Sequence, residues 1–173
     1  DFGYFSNSYN DYIGWQSDPV TWIGTYMNVD EAKIRGYEAS IKWQPNLKFK
    51  TILNYTYTDS EDSNTGYQLV GVPKNRLNAT VVYTPKERFS AYARVETSSD
   101  RVYSGNDRVG GYTNVSLGTI IRLFSIKNVH VYLKAQMYNL LDHKISMYKN
   151  YYQPGIHFMT GIFMKVNTGK DSL

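Results

Sequence analysis

The 173-residue sequence has no cysteine, and this absence excludes a disulfide framework and any thiolate metal site. A long apolar run is also missing and the mean hydropathy is −0.48, so no segment reaches the length of about 20 apolar residues that a transmembrane helix needs. No secretory signal peptide precedes Asp1, so we expect a mature protein or a piece of a longer one. Basic residues form no block and the net charge is only +4, so no nucleic-acid partner is predicted.

Tyrosine is abundant, at 17 of the 173 residues. A buried tyrosine hydroxyl needs a hydrogen-bonding partner, so an ordinary soluble core favours aliphatic residues. Tyrosine suits a lipid–water interface, where one end of the ring is apolar and the other end is hydrated. On composition alone, a soluble β-domain that binds sugars or peptides is an equal alternative.

Apolar and polar side chains alternate along almost the whole chain, which is the period-two pattern of β-strands. In residues 129–139, for example, Val, Val, Leu, Ala and Met fall on one face and His, Tyr, Lys, Gln and Tyr on the other. The pattern predicts strands longer than the roughly 5–6 residues usual in soluble domains. The eight predicted strands are residues 2–15, 29–43, 47–58, 72–84, 88–97, 112–124, 129–141 and 155–166, and a polar tail follows at 167–173.

The predicted connections alternate in length. Short turns are expected near residues 44–46, 84–87 and 125–128, and longer polar connections at 16–28, 58–71, 97–111 and 142–154. Bacterial outer-membrane barrels have short periplasmic turns and longer extracellular loops in this alternation. The pattern therefore favours an all-β, antiparallel, up-and-down transmembrane barrel in the outer membrane over a β-sandwich.

The polar side of the predicted strands carries charges that suit a water-filled barrel interior. The residues concerned are Arg76, Arg94, Glu96, Arg122 and Lys134. The aromatic residues near the strand ends match the girdles that such barrels place at both membrane interfaces. These are Trp43, Tyr57, Tyr83, Phe89, Phe124 and Phe158.

Several short motifs, taken in order, resemble the C-terminal barrel region of TonB-dependent outer-membrane receptors. They are Tyr26-Met27-Asn28-Val29 with residues 32–38, Asn54 to Asp59, Val72 to Leu77, Tyr138-Asn139-Leu140-Leu141-Asp142-His143-Lys144, and Tyr152 to Phe158. The resemblance implies that the chain forms about eight C-terminal strands of a barrel of about 22 strands, the size of plugged outer-membrane transporters. Two features depart from the family pattern: the last strand does not end on an aromatic residue, and His157 stands where the family often has arginine.

The same resemblance implies active uptake of a scarce ligand such as a ferric siderophore, cobalamin, haem or another metal chelate. The implied partners are outer-membrane lipids and lipopolysaccharide, the remaining strands, an N-terminal plug, and the TonB energy-transducing complex that acts through that plug. No cofactor is expected. Ligand contacts are expected in the extracellular loops and the upper barrel interior, and the candidates are Trp22, Tyr67, Lys74, Arg76, Tyr103, His143, Tyr148, Tyr151 and Tyr152.

Catalysis and metal binding find no support in the sequence. The three histidines have no metal-ligand spacing, no nucleophile–base pair stands out, and the acidic group Asp59, Glu61 and Asp62 lacks the pattern of an EF-hand calcium loop. We therefore predict that the chain is not an enzyme. The alternatives are a complete eight-stranded outer-membrane barrel with a structural, adhesion or defence role, and a soluble lipid-carrying barrel.

Overall fold

A computed structural model describes residues 1–17, 21, 23–63, 65–104 and 107–167. Within these residues every regular element is a β-strand, and no helix is long and apolar enough to cross a membrane. The strands are β1 (Phe2–Ser17), β2 (Gly24–Asn46), β3 (Phe49–Asp62), β4 (Asn75–Lys86), β5 (Phe89–Ser98), β6 (Arg101–Ser104), β7 (Asp107–Val109), β8 (Tyr112–Ile126), β9 (Val129–Tyr138), β10 (Ser146–Tyr148), β11 (Tyr151–Tyr152) and β12 (His157–Val166).

Eight of these strands form one antiparallel up-and-down sheet in the order β1-β2-β3-β4-β5-β8-β9-β12. The short strands β6 with β7, and β10 with β11, form two separate hairpins inside the connections. The prediction of an all-β antiparallel sheet is therefore confirmed. Among the strands the structure describes, β1 and β12 pair with one neighbour each, so both edges of the sheet are open.

The first hairpin differs most from the sequence prediction. Strand β1 continues to Ser17 and β2 begins at Gly24, so most of the connection expected at residues 16–28 is paired strand. The register also places Phe5 opposite Gly36 and Phe2 opposite Ala39. Phe5 therefore lies on the polar side of the sheet although its side chain is apolar.

The register divides the eight-stranded sheet into two faces, which we call the apolar face and the polar face. The apolar face carries Ile41, Trp43, Leu53, Leu77, Ala79, Val81, Val95, Leu117, Leu133, Met137, Ile162, Met164 and Val166. All six aromatic residues predicted to form interfacial girdles lie on this face. Many of its side chains are exposed, including Ile162 at 69% and Met164 at 71%, so this face requires an apolar solvent or partner.

Aromatic rings gather in two places on the apolar face. Near the short turns, Phe49 stacks on Tyr83 with a centroid distance of 4.6 Å. Farther up the strands, Tyr37 has ring neighbours at 5.3 Å from Tyr4 and 6.4 Å from Tyr57. The aliphatic residues of this face lie mostly between these two aromatic groups, which is the arrangement of a membrane-spanning band.

The polar face contains two close approaches that require glycine. A Cβ at Gly36 would lie 2.0 Å from the Tyr57 carbonyl oxygen and 2.7 Å from Cζ of Phe5. A Cβ at Gly118 would meet the ring of Tyr92, whose hydroxyl accepts a hydrogen bond from Gln136. Aromatic side chains therefore cover backbone on this face, and a glycine inside a strand commonly marks such an approach.

Candidate functional site

Three connections at one end of the sheet pack on one another. We name them loop A (residues 65–74), loop B (residues 99–104 and 107–111) and loop C (residues 139–156). They follow β3, β5 and β9, so the alternation of an up-and-down sheet places them at the same end. The two largest fully buried side chains among the described residues, Ile145 and Asn139, lie in loop C, and the loops also bury Leu69, Val102, Val109 and Arg101.

Hydrogen bonds join the three loops. The Gly71 amide of loop A donates to the Val102 carbonyl of loop B at 2.9 Å, and the Arg108 guanidinium of loop B donates to Oε1 of Gln68 at 3.3 Å. Between loops B and C, Arg101 donates to the Ser146 carbonyl at 2.5 Å. Loop B therefore contacts both of its neighbours.

An ion pair adds to the contact between loops B and C. Nζ of Lys149 lies 2.7 Å from a carboxylate oxygen of Asp107. This hydrogen bond, reinforced by the charge of the carboxylate, raises the pKa of Lys149 above its ordinary value. Lys149 therefore stays protonated at neutral pH, and the pair persists until the pH rises well into the alkaline range. Both side chains are about half exposed, so we assign the pair little stability of its own.

The base of loop C depends on Asn139, the second residue of the motif at 138–144. Its side chain is 1% exposed and its backbone has a positive φ of 53°, a conformation that asparagine tolerates better than most residues. The side-chain amide donates to the His143 carbonyl at 2.9 Å and to the Pro154 carbonyl at 3.2 Å, and its oxygen accepts from the His143 amide at 3.1 Å. One side chain thus ties the two ends of loop C together.

Asp142 completes this base. It also has a positive φ, 49°, and its carboxylate accepts a hydrogen bond from the Ile156 amide at 3.2 Å. The same carboxylate oxygen would lie 2.4 Å from a Cβ at position 155, so Gly155 leaves room for it. These contacts join the motif at 138–144 to the motif at 152–158.

Removing the Asn139 side chain should loosen loop C. Asn139→Ala deletes three hydrogen bonds to the backbone of His143 and Pro154 and puts alanine at a left-handed φ, so we expect the free energy of unfolding of the loop to fall by about 2 kcal/mol. Asn150→Ala is the matched control, because Asn150 also has a positive φ, 67°, but is exposed. Limited proteolysis should cut loop C of Asn139→Ala much faster than loop C of Asn150→Ala. Equal cleavage rates would contradict the role of Asn139.

Five of the predicted ligand contacts are tyrosines that project from the three loops. Tyr67 lies in loop A, Tyr103 in β6 of loop B, and the other three in the β10–β11 hairpin of loop C. All five are exposed, and the loop C residues most of all, with Tyr148, Tyr151 and Tyr152 at 66%, 75% and 61%. Because the loops are joined, these rings belong to one surface. Trp22, which was also predicted to contact the ligand, lies outside the described residues.

The other three candidates lie below the tyrosines. Arg76 is on the polar face, opposite Thr56 and Ser98, and lines a shallow hollow with Glu38 and residues 71–73. Lys74 precedes β4 and is exposed. Nδ1 of His143 lies 3.0 Å from the Thr113 carbonyl oxygen, so this ring contacts the backbone of β8. The structure thus places the five tyrosines on hydrogen-bonded loops, and Lys74 and Arg76 at the top of the sheet.

The polar face has an excess of positive charge. Among the strand residues whose side chains the structure describes, the register places seven cations on this face, namely Lys42, Lys50, Arg76, Arg94, Arg122, Lys134 and Lys165, and three carboxylates, namely Glu38, Asp62 and Glu96. An ion pair joins Arg122 to Glu87 of the adjoining short turn, at 3.6 Å. A face with more cations than carboxylates attracts anionic ligands or an acidic partner.

A row of hydrogen-bonding side chains across the polar face was not recognised in the sequence. Five successive strands place Ser40, Asn54, Asn78, Glu96 and Asn114 side by side. The Ser40 hydroxyl donates to Oδ1 of Asn54 at 2.9 Å, and Oδ1 of Asn114 accepts from the Asn139 amide at 3.1 Å. Only the register brings these residues together, because they are separated by 14 to 24 positions along the chain.

In the part of the chain that the structure describes, no group of three His, Asp or Glu side chains could hold a metal ion. The arrangement offers aromatic rings, hydrogen-bonding groups and cations rather than a nucleophile with a base. Groups of these kinds can bind a ligand non-covalently.

Comparison with known proteins agrees with this architecture. A family model described as TonB dependent receptor-like, beta-barrel, matches residues 1–140. A curated relative, the iron-regulated outer membrane virulence protein of Vibrio cholerae serotype O1, is 26% identical over an alignment of 157 positions that covers 83% of this chain and 24% of the relative. The corresponding protein of a second strain is 25% identical over an alignment of 146 positions that covers 79% of this chain and 22% of the relative.

Solved structures share the fold. The copper transporter OprC has a TM-score of 0.77 at 19% identity, covering 96% of this chain and 28% of its own. The ferric enterobactin receptor PfeA of Pseudomonas aeruginosa has a TM-score of 0.72 at 23% identity, covering 94% and 28%. The siderophore receptor PirA of Acinetobacter baumannii has a TM-score of 0.71 at 18% identity, covering 93% and 28%. This chain thus spans about a quarter of the proteins it resembles, and these three are named as receptors or transporters and not as enzymes.

Proposed function

Because the chain belongs to the TonB-dependent receptor β-barrel family of the outer membrane, we propose that it forms part of the wall of a receptor for active uptake of a ferric siderophore. The open edges at β1 and β12 support further strands on both sides. The motifs at 138–144 and 152–158 favour a position at the C-terminal end of a barrel of about 22 strands, with residues 1–166 in the barrel and 167–173 as a tail.

Membership of this family predicts what surrounds each face of the sheet. The apolar face contacts lipid, with lipopolysaccharide at the outer end, and the polar face lines the barrel interior. An N-terminal plug would fill that interior and connect to the TonB complex. A complete eight-stranded barrel is the alternative, and it requires β12 to pair with β1, a pairing that does not occur among the described strands.

The excess of cations on the polar face is the observation that favours a ferric siderophore as the ligand. An anionic chelate would be attracted to this face, whose described strand side chains include seven cations and three carboxylates. The exposed tyrosines of loops A, B and C would meet its planar groups first. The iron-regulated relative and the siderophore receptors of similar fold support the same ligand class. Cobalamin, haem and other metal chelates are the competing ligands.

Removal of two tyrosines tests this function. We expect Tyr151→Ala with Tyr152→Ala to weaken binding of iron(III)-enterobactin about tenfold, since one aromatic contact contributes about 0.5–1.5 kcal/mol. The 17 tyrosines make tyrosine fluorescence unspecific, so retention of the radiolabelled iron chelate on purified receptor in detergent is the measurement.

Lys144→Ala is the matched control, because Lys144 is exposed in the same loop and offers no ring. Its binding should equal that of the parent protein. The proposal fails if the parent protein does not retain the chelate, and the tyrosine assignment fails if the double variant binds as tightly as the control. Retention of haem or cobalamin instead of the iron chelate would replace the ligand and keep the transport function.

A further inference from the structure

We propose that loops A, B and C form one preformed cap, and that Arg101 is the positioning residue that fixes the tyrosine hairpin of loop C within it. The inference deepens the proposed function and rests on it, because it concerns how the same tyrosines are presented to a planar ligand. It assigns a role to a residue that acts through the hairpin rather than on the ligand. Three sets of contacts support this role: those of Arg101, those of the β10–β11 hairpin, and those that hold loop A to loop B.

Arg101 is the buried arginine at the start of loop B. Only 6% of its surface is exposed, and an arginine is rarely buried unless its guanidinium is well engaged. Nη2 donates to the Ser146 carbonyl at 2.5 Å, across 45 residues of sequence. An uncharged side chain such as alanine would leave this carbonyl without that donor. The cost of burying the charge is thus offset in part by a bond that joins loop B to loop C.

Ser146 is the residue on which the hairpin of loop C is built. It opens β10 and pairs with Tyr152, and its hydroxyl donates to the carbonyls of Tyr148 and Tyr151. Beside it, the Ile145 carbonyl accepts from the Gln153 amide at 2.8 Å, and Ile145 is 1% exposed. Fixing the Ser146 carbonyl therefore fixes the backbone that carries all three exposed tyrosines.

Loop A is held to the same body from the other side of loop B. The carbonyl of Val102, the residue next to Arg101, accepts from the Gly71 amide at 2.9 Å, while Leu69, Val102 and Val109 are each 6% exposed. Ile145 of loop C is also buried, so each of the three loops contributes at least one buried apolar side chain. Loops that share buried apolar contacts and backbone hydrogen bonds open together rather than singly.

A preformed cap has a consequence for binding. When a surface is already ordered, less conformational entropy is lost as the ligand binds. A planar chelate in contact with Tyr103 of loop B and the hairpin of loop C would then bind a single rigid surface. Loss of Arg101 should weaken binding although every tyrosine remains.

Spin labels can measure the order of the cap without any ligand. The 173 residues contain no cysteine. Once any cysteine in the rest of the receptor has been replaced, Gly110→Cys in loop B and Tyr148→Cys in loop C introduce defined label sites. A Cβ at Gly110 meets nothing within 4 Å, and Tyr148 is 66% exposed. Double electron–electron resonance on the labelled receptor in detergent should give one narrow distance distribution. Arg101→Ala should increase its width about twofold, and Arg101→Lys should restore most of the narrowness, because a cation at this position makes a charge-assisted hydrogen bond.

Arg108→Ala is the matched control. Arg108 also lies in loop B, but it contacts Asp100 and Gln68 and so joins loop B to itself and to loop A. Arg108→Ala should leave the distribution of distances between the labels at positions 110 and 148 narrow. If Arg101→Ala yields no folded receptor on a heat-modifiability gel, Lys149→Gln removes the exposed ion pair with Asp107 instead, and it should broaden the distribution by a smaller amount.

A broad distribution in the parent protein would overturn the inference. So would an Arg101→Ala distribution as narrow as the parent's, or an equal broadening by Arg108→Ala. Iron(III)-enterobactin retention separates this inference from the proposed function. A narrow parent distribution that depends on Arg101, together with no retention of the chelate, would keep the cap and reject the ligand.

Discussion

Gly36→Ala is expected to prevent the receptor from accumulating as a folded outer-membrane protein. The added Cβ would lie 2.0 Å from a backbone carbonyl oxygen of β3 and 2.7 Å from the Phe5 ring of β1. The carbonyl cannot move without breaking the pairing of β2 with β3, in which Gly36 faces Thr58. Three strands are disturbed by one methyl group, so the effect should exceed that of an ordinary core substitution.

The control for this substitution is Gly161→Ala. Gly161 also lies on the polar face of a strand, opposite Lys134, and a Cβ there meets nothing within 4 Å. Cell fractionation followed by electrophoresis of boiled and unboiled samples should detect folded receptor for Gly161→Ala and little or none for Gly36→Ala. Comparable amounts of folded receptor in the two variants would show that the close packing at Gly36 is dispensable.

Leu53→Arg should destabilise the membrane-inserted receptor by about 2–4 kcal/mol, the usual cost of a cation on the lipid side of a barrel near the bilayer midplane. Leu53 lies on the apolar face, between the Phe49–Tyr83 and Tyr37–Tyr57 aromatic groups, and faces Ile41 and Ala79 across the sheet. The guanidinium would have to be desolvated or would pull water and headgroups into the bilayer. Denaturant unfolding in lipid vesicles is the measurement.

Asn78→Arg is the control for Leu53→Arg, because it introduces the same cation in the neighbouring strand β4 but on the polar face. Asn78 lies on the polar face and is directly opposite Glu96, so a new cation finds both water and a carboxylate. Its stability should stay within about 1 kcal/mol of the parent protein, because surface substitutions of this kind usually have small effects. If the two substitutions destabilise equally, or if Asn78→Arg is the worse, the assignment of the two faces to lipid and interior is wrong.

The central strands were predictable because each has one apolar and one polar side. Residues such as Leu77, Ala79 and Val81 repeat every second position, and the register observed in β4 preserves that order. The first hairpin was harder because its alternation is interrupted by polar residues in positions such as Asn7. There the backbone pairing with β2 defines the strand, and Phe5 faces the polar side because Gly36 leaves space for its ring.

The sequence predicted which connections would carry the exposed tyrosines but not how those connections contact one another. Tyrosine-rich connections indicated a binding surface, and the structure places those tyrosines on joined loops. Nothing in the sequence identifies Arg101 as buried or pairs it with Ser146, because these residues lie 45 positions apart. The polar row from Ser40 to Asn114 was missed for the same reason. Contacts between distant segments follow from register and packing, which a local pattern does not encode.

Accumulation of radioactive iron by intact cells tests the central claim most directly. Cells that produce the receptor would be given iron(III)-enterobactin, with and without a functional TonB complex. We predict uptake that requires both the receptor and TonB and that falls when Tyr151 and Tyr152 are replaced by alanine. Uptake that proceeds equally without TonB, or no uptake of any iron chelate by cells with folded receptor, would contradict the proposal that this chain is part of an energised iron transporter.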